Sequence, residues 1–480
     1  MKKLIIKIGL LSLLAVGSTL TSCEDYLSDI PKGQKIPQTW EDFNNFLRNE
    51  WNDTYYAEVG EARTLINDIY KTPSQLNTTL TRANYNWDET IDRYPESTND
   101  KYLYINGYAG VFYGNLIIDN APKLTDCTEA QRQMITAQAR VLRCMAYHHV
   151  ANYHADQYCE ATLDKLSIPL VANSGVESPS PQVTIRVLYD FIVADLKAAI
   201  ESNALPTQGE TLFHATKGAA YSLLARVYLS MNDYTNALTY ANLALTENNK
   251  LFSWIDYYKA DKARYDDPEN ISTNCVAIAK TNPENYIYRG GNHLEWYGVY
   301  RFTTGISVER AARFEKGDTR LLTHWKKRLD TSTNADAYYG IYGEELNAGG
   351  LTTPEMYYIK AECLARTGKA ENIEEAMNLL NTVRKSRILP EFYAPAKAST
   401  TKEAVEKIIA DKANEYIQTL VPFCDLRRLN KDPQYARTLT KVYNGKTLTL
   451  KPDSHLWIMP FSETVFTNPG NGSLQQNTPK

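Results

Sequence analysis

Leu223-Leu224-Ala225-Arg226-Val227-Tyr228-Leu229 lies in a helical run ending at Ser230, and Met231-Asn232-Asp233-Tyr234 follows it as a tight connection. Beyond the connection, Ala237, Ala241, Ala244 and Leu245 recur at helical spacing on one face. Small residues at facing positions let two antiparallel helices approach closely, which predicts a tetratricopeptide-type hairpin. A second hairpin is predicted where Met356, Ile359 and Cys363 line a helix that Gly368 ends, and Ala376, Leu379, Leu380 and Val383 line its partner. Ala225 and Ala361 stand about 136 residues apart, so these are not adjacent 34-residue repeats. Long insertions therefore separate the pairs. Two more helices are expected, one carrying Leu142, Met145, Ala146 and His149, the other Val187, Phe191, Ala194, Leu196 and Ala198. The fold class is mostly α.

The N-terminus has three regions of a leader: Lys2, Lys3 and Lys7, then the apolar run Ile8 to Val16, then Leu20-Thr21-Ser22-Cys23. The run is about half the roughly 18–20 residues a spanning helix needs. Leu-Thr-Ser-Cys resembles the lipobox of signal peptidase II substrates, which makes Cys23 the expected acylated N-terminus. Two or more acyl chains anchor firmly. The expected organisation is a leader over 1–22, a polar tether over 23–38, a helical region over 39–251, an irregular insertion over 252–351 and a closing helical region over 352–480.

Composition fits a globular exported chain, with 43% hydrophobic and 22% charged residues. Without the leader's Lys2, Lys3 and Lys7 the basic count falls from 52 to 49 against 56 acids, which argues against nucleic acid as a partner. Six cysteines besides Cys23 show no CxxC spacing, and most are expected to be buried thiols. The 34 tyrosines combine apolar bodies with polar tips, suited to helix seams and to wet contact surfaces alike.

Catalytic motifs are missing. There is no GxSxG, HExxH or Rossmann glycine pattern, and Gly445-Lys446-Thr447 lacks the glycine five positions earlier that a phosphate loop requires. His148, His149, His154 and Asp156 invite a metal reading, but His149 continues an apolar helical face and no second ligand group has zinc-like spacing. No catalytic residue, metal or cofactor is expected.

In order along the chain, several segments resemble the SusD/RagB-like lipoproteins of Bacteroidetes. They are Asn115 to Leu124, Ala137 to Arg143, Asp195-Leu196 with Ala198-Ala199, Lys217 to Leu229, Glu355 to Gly368, Leu380 to Arg387, Asp425-Leu426-Arg427-Arg428, and Asn468-Pro469 with Gln476-Asn477. Departures include Ile458-Met459-Pro460 for Pro-Ile-Pro and Asp411-Lys412-Ala413-Asn414-Glu415 for Glu-Arg-x-x-Glu. The resemblance implies a SusD-like fold of tetratricopeptide-type helix pairs with long irregular ligand-binding insertions. It implies a lipid-anchored outer-membrane protein facing the exterior, which captures oligosaccharide and caps a SusC-type TonB-dependent transporter. Oligopeptide as ligand, or a tetratricopeptide-type lipoprotein that binds only protein, are the alternatives. Glu24-Asp25 resembles the acidic surface-export signal of such lipoproteins.

Sugar rings pack their C–H faces on flat aromatics while their hydroxyls need Asn, Asp, Arg and Tyr partners. Two stretches read as irregular mix these types, 71–100 and 252–351, and long loops on a rigid scaffold commonly carry function. Trp40, Trp51, Trp254, Trp325 and Trp457 read as core, which leaves Trp87 and Trp296 as the exposed candidates. The expected ligand site is Trp296 with Tyr297 and Tyr300, Trp87 as a second platform, and Arg82, Asn292 and Arg301 as donors.

Overall fold

The computed structural model describes residues 37–48, 59–94, 101–175, 180–272, 275–290, 305–341, 347–467 and 474–479. Twelve helices carry the architecture: α1 (Trp40–Arg48), α2 (Gly60–Leu65), α3 (Thr79–Asn86), α4 (Lys101–Asn120), α5 (Glu129–His154), α6 (Ile185–Glu201), α7 (Lys217–Ser230), α8 (Tyr234–Glu247), α9 (Thr353–Ala365), α10 (Ala370–Arg384), α11 (Thr401–Glu415) and α12 (Val421–Asn430). Short helices and small sheets fill the connections. No helix among the described residues is long and apolar enough to cross a membrane.

Both predicted hairpins form. Thr216 caps α7 by accepting from the Ala219 N–H, and Asp233 caps α8 by accepting from the Asn236 N–H. Asn232, at φ 59°, makes the left-handed step between them. From Gly218 to Ser230 every residue of α7 except Arg226 is buried, as expected of a helix that is apolar nearly all round. Ala237, Ala241 and Ala244 of α8 lie fully buried against it. The other flank of α8 packs on α9, so the two pairs stack although a long insertion separates them in sequence. Pro354 opens α9, and Gly368, at φ 73°, follows its end. Ala376, Leu380 and Val383 of α10 then close a second core with α9 and α11.

On the other side, α4 lies along the 26-residue α5. Their close approach uses Gly107 and Gly114, where an added Cβ would overlap Val150 Cγ2 and come within 2.8 Å of Arg143 Cβ respectively. The segments that carry the family resemblance converge on buried ion pairs. Arg143 of α5 donates to both oxygens of Asp195 on α6, at 2.7 and 2.8 Å, and to Asn115 Oδ1 on α4 at 2.7 Å. Arg428 of α12 donates to both oxygens of Glu362 on α9, at 2.7 and 2.5 Å, and Arg427 donates to the carbonyls of Asn152 and Ala155 at the end of α5. The stretch that departs from the family pattern is also bonded throughout. Asp411 accepts from Arg320 and from the Tyr358 hydroxyl, Lys412 pairs with Asp425, and Glu415 accepts from Arg387 and Arg320.

The nine short strands among the described residues are all antiparallel: β1 (Leu166–Pro169), β2 (Gln182–Thr184), β3 (Asn285–Ile287), β4 (Ile306–Ser307), β5 (Trp325–Asp330), β6 (Ala335–Gly340), β7 (Leu351–Thr352), β8 (Leu439–Tyr443) and β9 (Lys446–Leu450). β4, β6 and β5 form a three-stranded sheet in that order, and β3 pairs with β7 at the base of the insertion. Arg387 fixes this base to the helices by donating to Glu284 beside β3 and to Glu415 on α11.

Two expectations are corrected. The stretch 71–100 is not irregular throughout, because Thr78 caps α3 by accepting from the Thr81 N–H and Leu80, Ala83 and Asn84 bury its inner face. Most cysteines are not fully buried: the six described thiols are free, and only Cys144 and Cys363 among them are buried.

Candidate functional site

Trp87 follows the last residue of α3 in the left-handed region, at φ 53° and ψ 43°, and its backbone N–H closes the helix on the Ala83 carbonyl. A bulky residue there is rare, and the surroundings hold it. The indole N–H donates to the Leu65 carbonyl at 2.7 Å, which folds the ring back under α2. Trp87 is therefore only 7% exposed, and the expectation of an exposed tryptophan is corrected. Its remaining edge borders two cavities.

The outer cavity, about 590 Å³, lies between the end of α3 and the β8–β9 hairpin. Asn86, Trp87, Asp88 and Glu89 form one wall, and Tyr443, Asn444, Lys446, Leu448, Thr449 and Lys451 form the other. Asn444 and Gly445 turn the hairpin with φ of 49° and 72°, the two left-handed residues of a type I′ turn. Strand alternation then sends Leu439, Lys441 and Tyr443 inward and leaves Thr440 and Val442 exposed. The inner cavity, about 540 Å³, runs from Trp87 and Asp68 past Arg313 to α11, α12 and the start of β8.

Aromatic rings and one amine lie between the two. Tyr85 meets Tyr443 edge to face at 5.2 Å. Lys441 Nζ lies 4.2 Å from the Tyr85 ring centre and 4.4 Å from that of Trp87, enclosed and without a hydrogen-bond acceptor among the described residues. Burial pushes its ammonium down to about 8. Burial, with Tyr443 nearby, pushes the Tyr85 phenol up to about 12. Beside this group the Tyr70 hydroxyl bonds Asp330 Oδ2 at 2.9 Å and Thr333 Oγ1 at 2.7 Å.

Arg82 does not join this cavity. Its guanidinium points back to the Leu76 and Asn77 carbonyls, at 3.5 and 3.4 Å, where it closes the turn before α3. Asn292, Trp296, Tyr297, Tyr300 and Arg301 lie outside the described residues, as do Cys23 and Trp51. Trp325 and Trp457 are buried as expected, while Trp40 and Trp254 are half-buried against neighbouring rings and helices. The histidines considered for a metal have other partners: His148 Nε2 and Ser230 Oγ are 3.0 Å apart, and His154 Nδ1 donates to the Met459 carbonyl at 3.1 Å. Asp156 pairs with Lys165 and Lys431. No group of three potential ligands among the described residues could hold a metal ion.

Of the hairpin, sequence reading takes up Gly445-Lys446-Thr447 alone, as a rejected phosphate loop, although a signal for the hairpin exists. Asn444-Gly445 between alternating apolar and polar residues is the strongest short-range mark of a β-hairpin.

Residues 25–229 match the model of a SusD-like family described as "Starch-binding associating with outer membrane". No curated protein matches the chain. Solved structures do. A SusD superfamily protein from Bacteroides vulgatus shares 16% identity at a TM-score of 0.71, covering 92% of this chain and all of that one. A SusD-like carbohydrate binding protein from the same species shares 17% identity at a TM-score of 0.66, over 92% of this chain and 99% of that one. A SusD superfamily protein from Bacteroides thetaiotaomicron shares 15% identity at a TM-score of 0.68, over 92% and 100%. At such identities the likeness establishes the fold.

Proposed function

We propose that this chain, a SusD-like protein by sequence model and by fold, is a carbohydrate-binding protein of the outer membrane and not an enzyme. The match over residues 25–229, to a family described by starch binding and outer-membrane association, carries the proposal. The cavity beside Trp87 supports it, because it offers what a sugar needs. The Tyr443 ring can meet a C–H face and the Trp87 edge adds an apolar border, while Asn86, Asn444, Thr449, Asp88 and two lysines can meet hydroxyls. The end of α3 and the β8–β9 hairpin hold these groups on a mostly helical scaffold. Trp296, Tyr297 and Tyr300, with Asn292 and Arg301, belong to the proposal on sequence grounds alone.

In the finer proposal, acyl chains on Cys23 anchor the chain at the cell surface. It then delivers oligosaccharide to a SusC-type TonB-dependent transporter, with the stacked pairs α7–α8 and α9–α10 toward the barrel. A glycan array on the chain from residue 24 onward, followed by calorimetric titration of each hit, tests the binding. Failure to bind any glycan overturns it. Cys23→Ala should release the protein from the membrane fraction, and mild-detergent purification should recover a large barrel protein in near-equal amount. An unanchored wild type, or the lipoprotein recovered alone, would remove those two parts separately.

A further inference from the structure

The β8–β9 hairpin is basic in an acidic chain. Between Gln434 and Pro452 stand Arg437, Lys441, Lys446 and Lys451, with no Asp or Glu, while the whole chain carries a formal charge of −4. Lys446 and Lys451 line the outer cavity and are exposed, and neither forms an ion pair among the described residues. Two acids face them. Asp88 Oδ1 is held by the Thr90 N–H and hydroxyl, at 2.9 and 2.6 Å, in the turn after α3. Glu89 is exposed at the rim. Behind the same wall, Lys441 Nζ is enclosed between the rings of Tyr85 and Trp87 with no acceptor to bond among the described residues. An ammonium so placed keeps only the weak attraction of two ring faces after losing its water.

From this arrangement we infer that the outer cavity selects an anionic sugar, one bearing a carboxylate or a sulfate ester. Lys446 and Lys451 would contact the anion, and Lys441 would add its charge through the Trp87 wall. The enclosed Lys441 amine is a fixed, poorly hydrated charge, and such a charge attracts an anion more strongly than a solvated one does. The inference rests on the glycan proposal and gives that proposal its substrate class.

The test pairs each anionic probe with a neutral counterpart. Polygalacturonate, alginate and hyaluronan are compared with their carboxyl-reduced forms, and chondroitin sulfate with its desulfated form, by calorimetric titration against the full mature chain. At least one anionic probe should bind about tenfold or more tighter than its counterpart, with the advantage shrinking between low and high salt. The probe that shows the advantage separates carboxylate from sulfate. Lys446→Gln with Lys451→Gln should remove most of it without moving the melting temperature, because both side chains are exposed. Lys441→Met, which keeps an unbranched chain between the rings, should remove about threefold. Equal affinity for charged and neutralised forms, binding to neutral glycans only, or an advantage that survives the double lysine variant overturns the inference and leaves glycan binding standing. Absence of binding to every glycan, charged or neutral, overturns both.

Discussion

Arg226 of α7 and Glu355 of α9 form a two-pronged ion pair, Nε to Oε1 at 2.8 Å and Nη2 to Oε2 at 2.5 Å, across 129 residues of sequence. The same guanidinium donates to the Gly350 carbonyl, at the point where the insertion returns to the helices. Arg226 is the one residue of α7 after Lys217 that is not fully buried, and it joins the two helix hairpins. Side-chain exposure is 18% for the arginine and 1% for the glutamate.

Removing one partner should therefore cost much more than removing both. Arg226→Met leaves a buried carboxylate unpaired and should lose about 3–5 kcal/mol of stability, as should Glu355→Gln to a lesser degree. The double variant should be more stable than the sum of the two losses implies. Urea unfolding of all four proteins measures the coupling, and additive losses would mean the pair is screened.

Gly107 should behave against its helix propensity. In a helix interior, Gly→Ala usually gains about 1 kcal/mol. Here the new methyl would overlap Val150 Cγ2, and a β-branched side chain in a helix has little rotamer freedom to move aside. Gly107→Ala should therefore destabilise by about 1 kcal/mol. In a Val150→Ala background the same change should stabilise. Thermal melts of the four proteins decide it, and an unchanged sign in the second background would refute the contact.

Acid should unfold the protein through its buried histidines. Burial holds His148 down at about 3, and His154 and His324 at about 4, against an ordinary value near 6.5. The folded state therefore binds fewer protons than the unfolded chain below about pH 6.5. Stability from these groups is fully present above that pH and is lost as pH falls toward 4, at about 1.4 kcal/mol per pH unit for each histidine at full slope. Melting temperature should fall steadily from pH 6.5 to 5, and less steeply in His154→Asn. A flat profile over that range would contradict burial of these rings.

Much of the scaffold was legible because its signals are local. Alanines at 237, 241 and 244, a polar four-residue connection and Gly368 each act within one or two turns of helix. The site was less legible because its walls come from residue 87 and residues 443–451, which only long-range packing brings together. Trp87 read as exposed because Arg82-Ala83-Asn84-Tyr85-Asn86 has no clear apolar period, so neither helix α3 nor the backward fold of the indole was visible. What holds it buried is packing in the main core and a hydrogen bond to the Leu65 carbonyl, partners that sequence spacing does not reveal.

Trp87 and Tyr443 should separate stability from binding. Trp87 is buried and bonded to Leu65, so Trp87→Ala should cost about 3–5 kcal/mol and weaken glycan binding only as part of a wider loss. Tyr443 is half-buried, with its ring against Tyr85, and it lines the outer cavity. Tyr443→Ala removes one aromatic contact with a sugar, worth about 1 kcal/mol, so affinity should fall about fivefold while the melting temperature moves by only a few degrees. Trp87→Phe keeps a ring but strands the Leu65 carbonyl, and should cost about 1–3 kcal/mol in stability with a smaller change in affinity. Calorimetric titration with the strongest array hit, run beside urea unfolding on the same preparations, measures both quantities. Should Tyr443→Ala leave affinity intact, the outer cavity is not where the glycan sits, and binding passes to the sequence-derived platform at Trp296.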